Sequence, residues 1–287
     1  MKINFKILKI NYNLIIIISI IIILLLYLFS SIFSFADSNN IKVPIIMYHS
    51  VLKSKSGTYI IHPNKLENDF KYIKENGYST ITINDLINYV YNDISLPLKP
   101  IIITFDDGYY NNLTYAFPLL KKYNMKAVIS IIGKYTDDFS NTTETNANYS
   151  HLRWVDIQNL MNSKLIEFQN HSYNLHVIQN GRKGCIKKRN ESLLSYSNLL
   201  SNDLNSLQNK FKLHCNYIPN TFTYPFGAIS KESIPIIKSL GFKASLSCES
   251  GINIISKDPN CLYLLKRYNR AGNLSTSQFF NQIFKQK

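Results

Sequence analysis

Apolar and polar positions follow two rhythms along most of this chain, and the rhythm switches back and forth. Residues 43–48 and Pro100–Phe105 are unbroken apolar runs of strand length, the second closed by Asp-Asp-Gly. Between them, residues 64–76 set Leu66, Phe70 and Ile73 on one helical face until Gly77 stops it. Residues 79–83 then read as a strand, and Asn84 can cap a helix over 85–91. The same reading gives helix 111–123, strand 126–132, helix 154–163, strand 165–169, a long helix around 191–211 and strand 221–224. Helix 231–240, strand 242–247, a strand near 262–268 and a helix capped by Ser275 or Thr276 complete the series. Repeated strand and helix units of this length require a mainly parallel sheet with helices outside, and seven or eight of them favour a barrel over an open sheet. The expected fold class is α/β, a distorted (β/α) barrel of about seven parallel strands, with function at the carboxyl ends of those strands.

The amino-terminal end has neither rhythm. From Leu14 to Phe29 every residue is apolar except Ser19, and the run continues through Ser30-Ser31-Ile32-Phe33 to Ala36. That is about 20 membrane-compatible residues, close to the length that spans a bilayer as a helix. Lys2, Lys6 and Lys9 precede it, and the first 36 residues contain no acid, which holds this end in the cytoplasm. Ser34-Phe35-Ala36 also presents small residues where a signal peptidase reads them, so a cleaved signal peptide and an uncleaved anchor across 14–36 both stay open. Either way, residues 1–36 direct export and residues 37–287 lie outside the cytoplasm. No linker, repeat or low-complexity run after Asn40 marks a second domain.

Charge and cysteine content narrow the picture only a little. Three of the +14 formal charges belong to Lys2, Lys6 and Lys9, leaving +11 on residues 37–287. Such a balance suits a bacterial wall, a membrane surface or nucleic acid, and charge alone chooses none of them. Cys185, Cys215, Cys248 and Cys261 all fall in the exported portion, where two disulfides with three possible pairings are permitted. No CxxC occurs, which excludes zinc-finger and thioredoxin readings. A domain of this size does not need staples, so free buried thiols remain equally open.

The residues able to carry chemistry gather at the expected strand ends. They are Tyr48-His49, Asp106-Asp107-Gly108, His171 with His176, and Pro225-Phe226-Gly227. Two adjacent carboxylates after an apolar strand are costly to bring together unless a cation or proton shares the site. Five residues separate His171 from His176, about 140° on a helix, so only a loop can aim both at one ion. Asp107 would then complete a two-His, one-carboxylate set with a position open for water, as in catalytic zinc sites. Taken singly, each motif also has a bland reading as a turn, a cap or a core histidine.

Thr104-Phe105-Asp106-Asp107-Gly108, His171-Ser172 through His176, and Tyr224-Pro225-Phe226-Gly227 resemble, in order and approximate spacing, the motifs of the NodB-like polysaccharide deacetylases, the family-four carbohydrate esterases. The resemblance covers roughly residues 43 to 270. Met47-Tyr48-His49-Ser50-Val51 and the run from Trp154 to His176 are similar to the branch that includes exported poly-β-1,6-N-acetylglucosamine deacetylases. The resemblance implies that Asp107, His171 and His176 hold one divalent metal ion, usually Zn2+, and that Asp106 takes a proton from the attacking water. It also implies that the backbone N–H of Phe226 stabilises the oxyanion, Phe standing where Tyr is usual. The implied partner is an N-acetylglucosamine polymer, with peptidoglycan and chitin-like oligomers as substrate alternatives and a catalytically silent wall-binding protein as the alternative class. No nucleic-acid partner is implied, and a monomer is expected.

Three departures from the commonest layout bear on mechanism. The histidines are spaced H-x4-H instead of H-x3-H, no Arg stands near Thr221, and no His follows His214 to donate the last proton. The branch resemblance offers His49 as the acid. Arg267 or Arg270 can take over the orientation of Asp106, although each also reads as a surface charge. His62, His151 and His214 read as loop or isolated residues, while Trp154 and the 20 tyrosines offer surfaces for sugar stacking or simple packing.

Overall fold

A computed structural model describes residues 17–24 and 40–284 of the chain. Residues 17–24 are helical and exposed. The expected span 14–36, with its lysines and cleavage site, otherwise lies outside the described residues. Among the described residues, no helix is long and apolar enough to cross a membrane. The chain divides into two compact units, 1–40 and 41–287, and the second carries the fold described here.

Seven parallel strands form its centre: β1 (Ile45–Tyr48), β2 (Pro100–Phe105), β3 (Ala127–Ile131), β4 (Ile166–Asn170), β5 (Thr221–Thr223), β6 (Ala244–Leu246) and β7 (Tyr268–Asn269). Their order is β6-β5-β4-β3-β2-β1-β7, with every neighbouring pair parallel. The two ends of that path meet through a parallel bridge between Leu246 and Leu265, backed by Leu265 N–H to Ser245 O at 2.8 Å and Ser247 N–H to Leu265 O at 2.9 Å. This seam of single bonds is the distortion of the barrel. The short strand Ser79–Ile81 pairs with the first half of β2 and leaves the second half to β3.

Alternation along the strands explains the near-continuous apolar runs. Ile45, Ile102, Val128, Ala244, Leu246 and Leu265 pack together inside the barrel, whereas Ile46, Ile101, Ile103, Phe105, Ala127 and Ile129 pack outward under helices. Strands buried on both faces have no polar side to display. Residues 102, 104 and 106 share a face, so the rule that seats Ile102 inside also turns Thr104 and Asp106 toward the barrel mouth.

Helices α1 (Pro63–Glu75), α2 (Ile83–Asn92), α3 (Phe117–Tyr123), α4 (Gly133–Ser140), α5 (Trp154–Asn162), α6 (Leu193–Cys215), α7 (Ser233–Ser239) and α8 (Thr276–Phe284) surround the sheet. The expected face of α1 is buried through Leu66, Phe70 and Ile73. The cap of α2 is Thr82, in a capping box with Asp85, and not Asn84, because only Thr82 stands where its hydroxyl meets the third N–H of the helix. Ser275 Oγ accepts from Gln278 N–H while Gln278 Oε1 accepts from Ser275 N–H, the reciprocal cap of α8. The expected helix 111–123 is split into a π turn at Asn112–Ala116 and then α3, because the side chains of Asn111 and Asn112 are spent on the β1 loop and Pro118 has no N–H to donate. Helix α4 was not expected, and the strand expected near 262–268 is reduced to β7 at its far end, with a 3₁₀ turn at Pro259–Leu262 before it.

Behind β1 and β7 lies a fully buried ion pair. Arg270 donates from Nε and Nη2 to Asp69 at 2.7 and 3.0 Å, and Tyr48 and Thr276 donate to the same carboxylate at 3.1 and 2.6 Å. Both partners are fully covered, so Arg270 is no surface charge; it ties β7, α1 and the start of α8 together. Burial pushes the Asp69 carboxyl up, and the Arg270 guanidinium only partly offsets this. Arg270→Met is expected to lower unfolding stability by about 3–5 kcal/mol, because it leaves a buried charge unpaired. Asp69→Leu combined with Arg270→Met should recover most of that loss in urea titrations, and an equal loss in the double variant would contradict this account.

Candidate active site

At the carboxyl end of β2, two adjacent carboxylates part company. Asp106 keeps the inward direction of its strand, whereas Asp107 has φ of 70°, in the left-handed region, and turns away. Gly108 follows at φ 71°, where a Cβ would stand 2.8 Å from Ile131 Cγ2, so no larger residue fits this turn. The Asp-Asp-Gly order therefore serves to aim two acids at different partners.

Asp106 meets Arg267, which is completely buried just before β7. Nη1 and Nη2 donate to the two carboxylate oxygens at 2.7 and 2.9 Å, and Nε donates to Ser247 O at 2.8 Å. Burial pushes the Asp106 carboxyl up, but the Arg267 guanidinium outweighs burial and holds it below the ordinary carboxylate range. Arg267 is thus no surface charge either. Three residues apart on an extended segment, Arg267 and Arg270 point to opposite sides, one to Asp106 and one to Asp69.

Asp107 meets the histidines. His171 and His176 lie in the loop after β4, with ring centroids 4.9 Å apart, and the Nε2 atom of each stands 3.4 Å from Asp107 Oδ1. Their loop is held from behind: Asp203 on α6 accepts from the N–H groups of Tyr173 and Asn174 at 2.8 Å each, and the N–H groups at the start of α4 donate to Ser172 O and Tyr173 O. His171 Nδ1 lies 2.8 Å from Thr223 O. A carbonyl only accepts, so Nδ1 carries the hydrogen and Nε2 is the atom turned to Asp107. Burial pulls the His171 pKa down, but the hydrogen bond and charge of Asp107, with Asp106, outweigh it and push it up. Burial, followed by the neighbouring His171, pushes His176 down to about 4, leaving it neutral at physiological pH.

These residues suit a divalent cation. Asp107 Oδ1 is buried without a hydrogen-bond partner, and all three donor atoms lie within 4.8 Å of one another. Ligand atoms at about 2.0–2.1 Å from one tetrahedral centre stand about 3.3–3.4 Å apart, which is the carboxylate-to-imidazole separation here.

A family profile described as "Polysaccharide deacetylase" matches residues 94–245, more than half of the chain. The chain belongs to the polysaccharide deacetylase family. That makes it an enzyme of the polysaccharide N-deacetylase class, a hydrolase. Among curated proteins it is similar to YxkH of Bacillus subtilis, with 29% identity over 239 residues that cover 83% of this chain and 75% of YxkH. It is 24% identical over 241 residues to the poly-beta-1,6-N-acetyl-D-glucosamine N-deacetylase of Escherichia coli, covering 78% of this chain but only 35% of that enzyme. Among solved structures, a de-N-acetylase from Aggregatibacter actinomycetemcomitans superposes with a TM-score of 0.72 at 23% identity, over 84% of this chain and 99% of that one, a likeness of fold.

Within this family member the remaining expected site residues sit as follows. His49 ends β1 and is partly buried; Asn112 Nδ2 holds its carbonyl at 2.9 Å, and its Nδ1 is buried without a partner. Burial pushes its pKa down, although Asp106 and Asp107 pull it up, so the imidazole is neutral at rest. The exposed ring of Tyr59 lies 4.8 Å from it. Phe226 has a positive φ of 58° and an exposed ring 4.1 Å from His176; the N–H groups of Gly227 and Ala228 are spent on Tyr224 O and Pro225 O, whereas that of Phe226 takes no part in those bonds.

Other residues stand apart from the sequence expectation. His62 caps α1, and His214 stacks on Trp154, which is itself buried with its Nε1 on Asp137, so Trp154 offers no face to a sugar. His151 is no loop bystander: its Nδ1 contacts Asp107 O at 3.0 Å. All four cysteines are free in the structure.

The pairing of Asp106 with Arg267 sets a pH expectation. A carboxyl held below its unfolded value adds stability above ordinary carboxylate pH and loses it as pH falls through its lowered folded pKa. In Arg267→Met burial is opposed only by His171 and His49, so the Asp106 pKa should rise. The acid limb of the kcat/KM profile should then move to higher pH, and the protein should lose about 3–5 kcal/mol of stability. An unmoved acid limb would show that Arg267 does not govern Asp106.

Proposed function

We propose that this chain hydrolyses N-acetyl groups from N-acetylglucosamine units of an extracellular polysaccharide, releasing acetate and leaving a free amine on the sugar. The observation that carries this reading is the division of labour at the end of β2. One carboxylate, Asp106, is kept ionised by a buried arginine, directly beside a second, Asp107, that faces two histidine nitrogens. A glycan-binding protein has no use for an ionised base next to a ligand set.

Asp107, His171 and His176 would hold one divalent cation, with Zn2+ the first choice for this donor set. When bound, that ion supplies Lewis acidity to the attacking water and the amide carbonyl. Asp106 accepts the proton of the water as its oxygen bonds to the carbonyl carbon. The Phe226 N–H is read as a donor to the oxygen that gains negative charge. The C–N bond breaks as the nitrogen takes a proton, and His49 is the group assigned to deliver it. Because its pKa is lowered, His49 must be charged in the course of the reaction.

Relatives named for poly-beta-1,6-N-acetyl-D-glucosamine favour that polymer, with peptidoglycan and chitin-like oligomers as competitors. The apolar run 14–36 after three lysines supports export, with the enzyme acting as a monomer anchored on the outer face of the cell membrane or secreted to the wall.

Acetate release from the three polymers side by side, with Zn2+ added and then chelated, tests the reading. Activity should vanish on chelation and return with metal. His176→Ala should lose metal and activity together, and full metal occupancy in that variant would refute the ligand assignment. Asp106→Asn should keep the metal while turnover falls by about 10²-fold, and His49→Ala should fall similarly with fold and metal intact. Near-normal acetate release from Asp106→Asn would end the assignment of the base; the same result from His49→Ala would move the acid elsewhere.

A further inference from the structure

The segment leading into α5 runs past the Asp-Asp-Gly turn and is tied to it at three successive points. Tyr110 N–H donates to Ser150 O at 2.8 Å, and Leu152 N–H donates to Gly108 O at 2.8 Å. Between them the His151 side chain reaches Asp107 O at 3.0 Å through Nδ1. Since that oxygen only accepts, Nδ1 carries the hydrogen. The ring is 7% exposed and walled in by Tyr109, Tyr135 and Phe139, at centroid distances of 4.8, 4.6 and 5.7 Å.

The bond falls where the backbone most needs restraint. Asp107 is a non-glycine residue at φ 70°, followed by Gly108 at φ 71°. A left-handed residue costs about 1–3 kcal/mol and persists only where its surroundings over-determine it. Rotation about the Asp107 N–Cα bond, out of this positive φ, moves its carbonyl and its Cβ together, drawing the carbonyl away from His151 and the carboxylate off the histidines. Of the three ties, two are backbone bonds that any sequence could make, and the third needs a side-chain donor at position 151.

We propose that His151 is a positioning residue: its Nδ1–H locks the Asp107 carbonyl and thereby the left-handed turn that aims the Asp107 carboxylate at His171 and His176. It touches neither substrate nor cation. The proposal rests on the ligand assignment made above for its effect on metal, and on the hydrogen-bond geometry alone for its effect on the turn.

Two substitutions separate a lock from packing. His151→Phe keeps an aromatic ring among Tyr109, Tyr135 and Phe139 but removes the donor, whereas His151→Asn restores an amide donor close to the place of Nδ1. Amide hydrogen exchange of the peptide spanning residues 106–112, in the metal-free protein, should quicken in His151→Phe and return toward wild type in His151→Asn. Zn2+ affinity by competition with a chelating dye should weaken about 10–100-fold in His151→Phe, the usual scale for a group that orients a ligand, and recover in His151→Asn. In the same variant kcat should fall while KM stays within about twofold. Wild-type exchange and affinity in His151→Phe would overturn the proposal, as would equal defects in both variants. A wild-type protein that binds no Zn2+ would instead overturn the ligand assignment, and the exchange measurement would still decide whether His151 locks the turn.

Discussion

A single buried ion pair governs the arrangement of this site: the guanidinium of Arg267 against the carboxylate of Asp106. Neither group tolerates burial alone, and each is nearly or completely covered. The pair joins the end of β2 to the segment before β7, across the seam where the barrel closes through Leu246 and Leu265. Arg267 Nε also holds Ser247 O at the end of β6, so one side chain stitches three strands at the mouth. Closure of the barrel and ionisation of Asp106 are therefore one structural event. The commonest family layout places an arginine before the Pro-aromatic-Gly motif, and here a residue some forty positions later in the chain stands in the corresponding relation to the aspartate.

Asp107 depends on a different kind of restraint. Its carboxylate meets no arginine or lysine among the described residues, so its direction is set by the backbone, through a left-handed residue and a glycine whose Cβ would clash with Ile131. The histidine loop is likewise set by backbone contacts, to Asp203, to the start of α4 and to Thr223. Rigid strand ends supply the positions, and hydrogen bonds from outside the cluster supply the aim. That division leaves the three donor atoms facing one another with nothing between them, an arrangement that only a proton or a metal ion makes favourable.

Much of this was legible in the sequence because it follows from local periodicity. Buried parallel strands announce themselves as apolar runs, and 100–105 was read with its observed bounds; α1 shows its buried face and α8 its cap. The chemistry at strand ends followed once a barrel was expected. What escaped is non-local or defies local pattern. The π turn at Asn112–Ala116 arises because two asparagines serve the β1 loop, and β7 is too short to have a period. Sequence offered Arg267 or Arg270 for orienting Asp106 and left both open as surface charges; Arg267 takes that place, whereas nothing near Arg270 in sequence reveals Asp69, about 200 residues away. His151 was passed over because its partner is a backbone carbonyl, which carries no side-chain signature. Helix α4, after β3, is anchored by carbonyls of the loop that carries His171 and His176, a dependence visible only in three dimensions.

The proton inventory of the site gives the proposed chemistry its sharpest constraint. Asp106 is ionised at rest because Arg267 outweighs burial, and His49 is neutral at rest because burial outweighs the two carboxylates. Neither group assigned to proton transfer therefore enters the reaction with a proton to give. The departing nitrogen needs one, and the attacking water yields one. Once Asp106 receives the water's proton, its negative charge is spent, and the attraction that favoured a charged His49 is weakened at that moment. His49 must then take its proton from solvent, or the proton held by Asp106 must pass to the nitrogen directly. An acid that is neutral at rest and an arginine that makes Asp106 a weak base but a ready donor are both compatible with the direct route. The low basicity imposed by Arg267 weakens Asp106 as a proton acceptor and eases the later release of the same proton, so the direct route gives up driving force at capture and regains it at delivery.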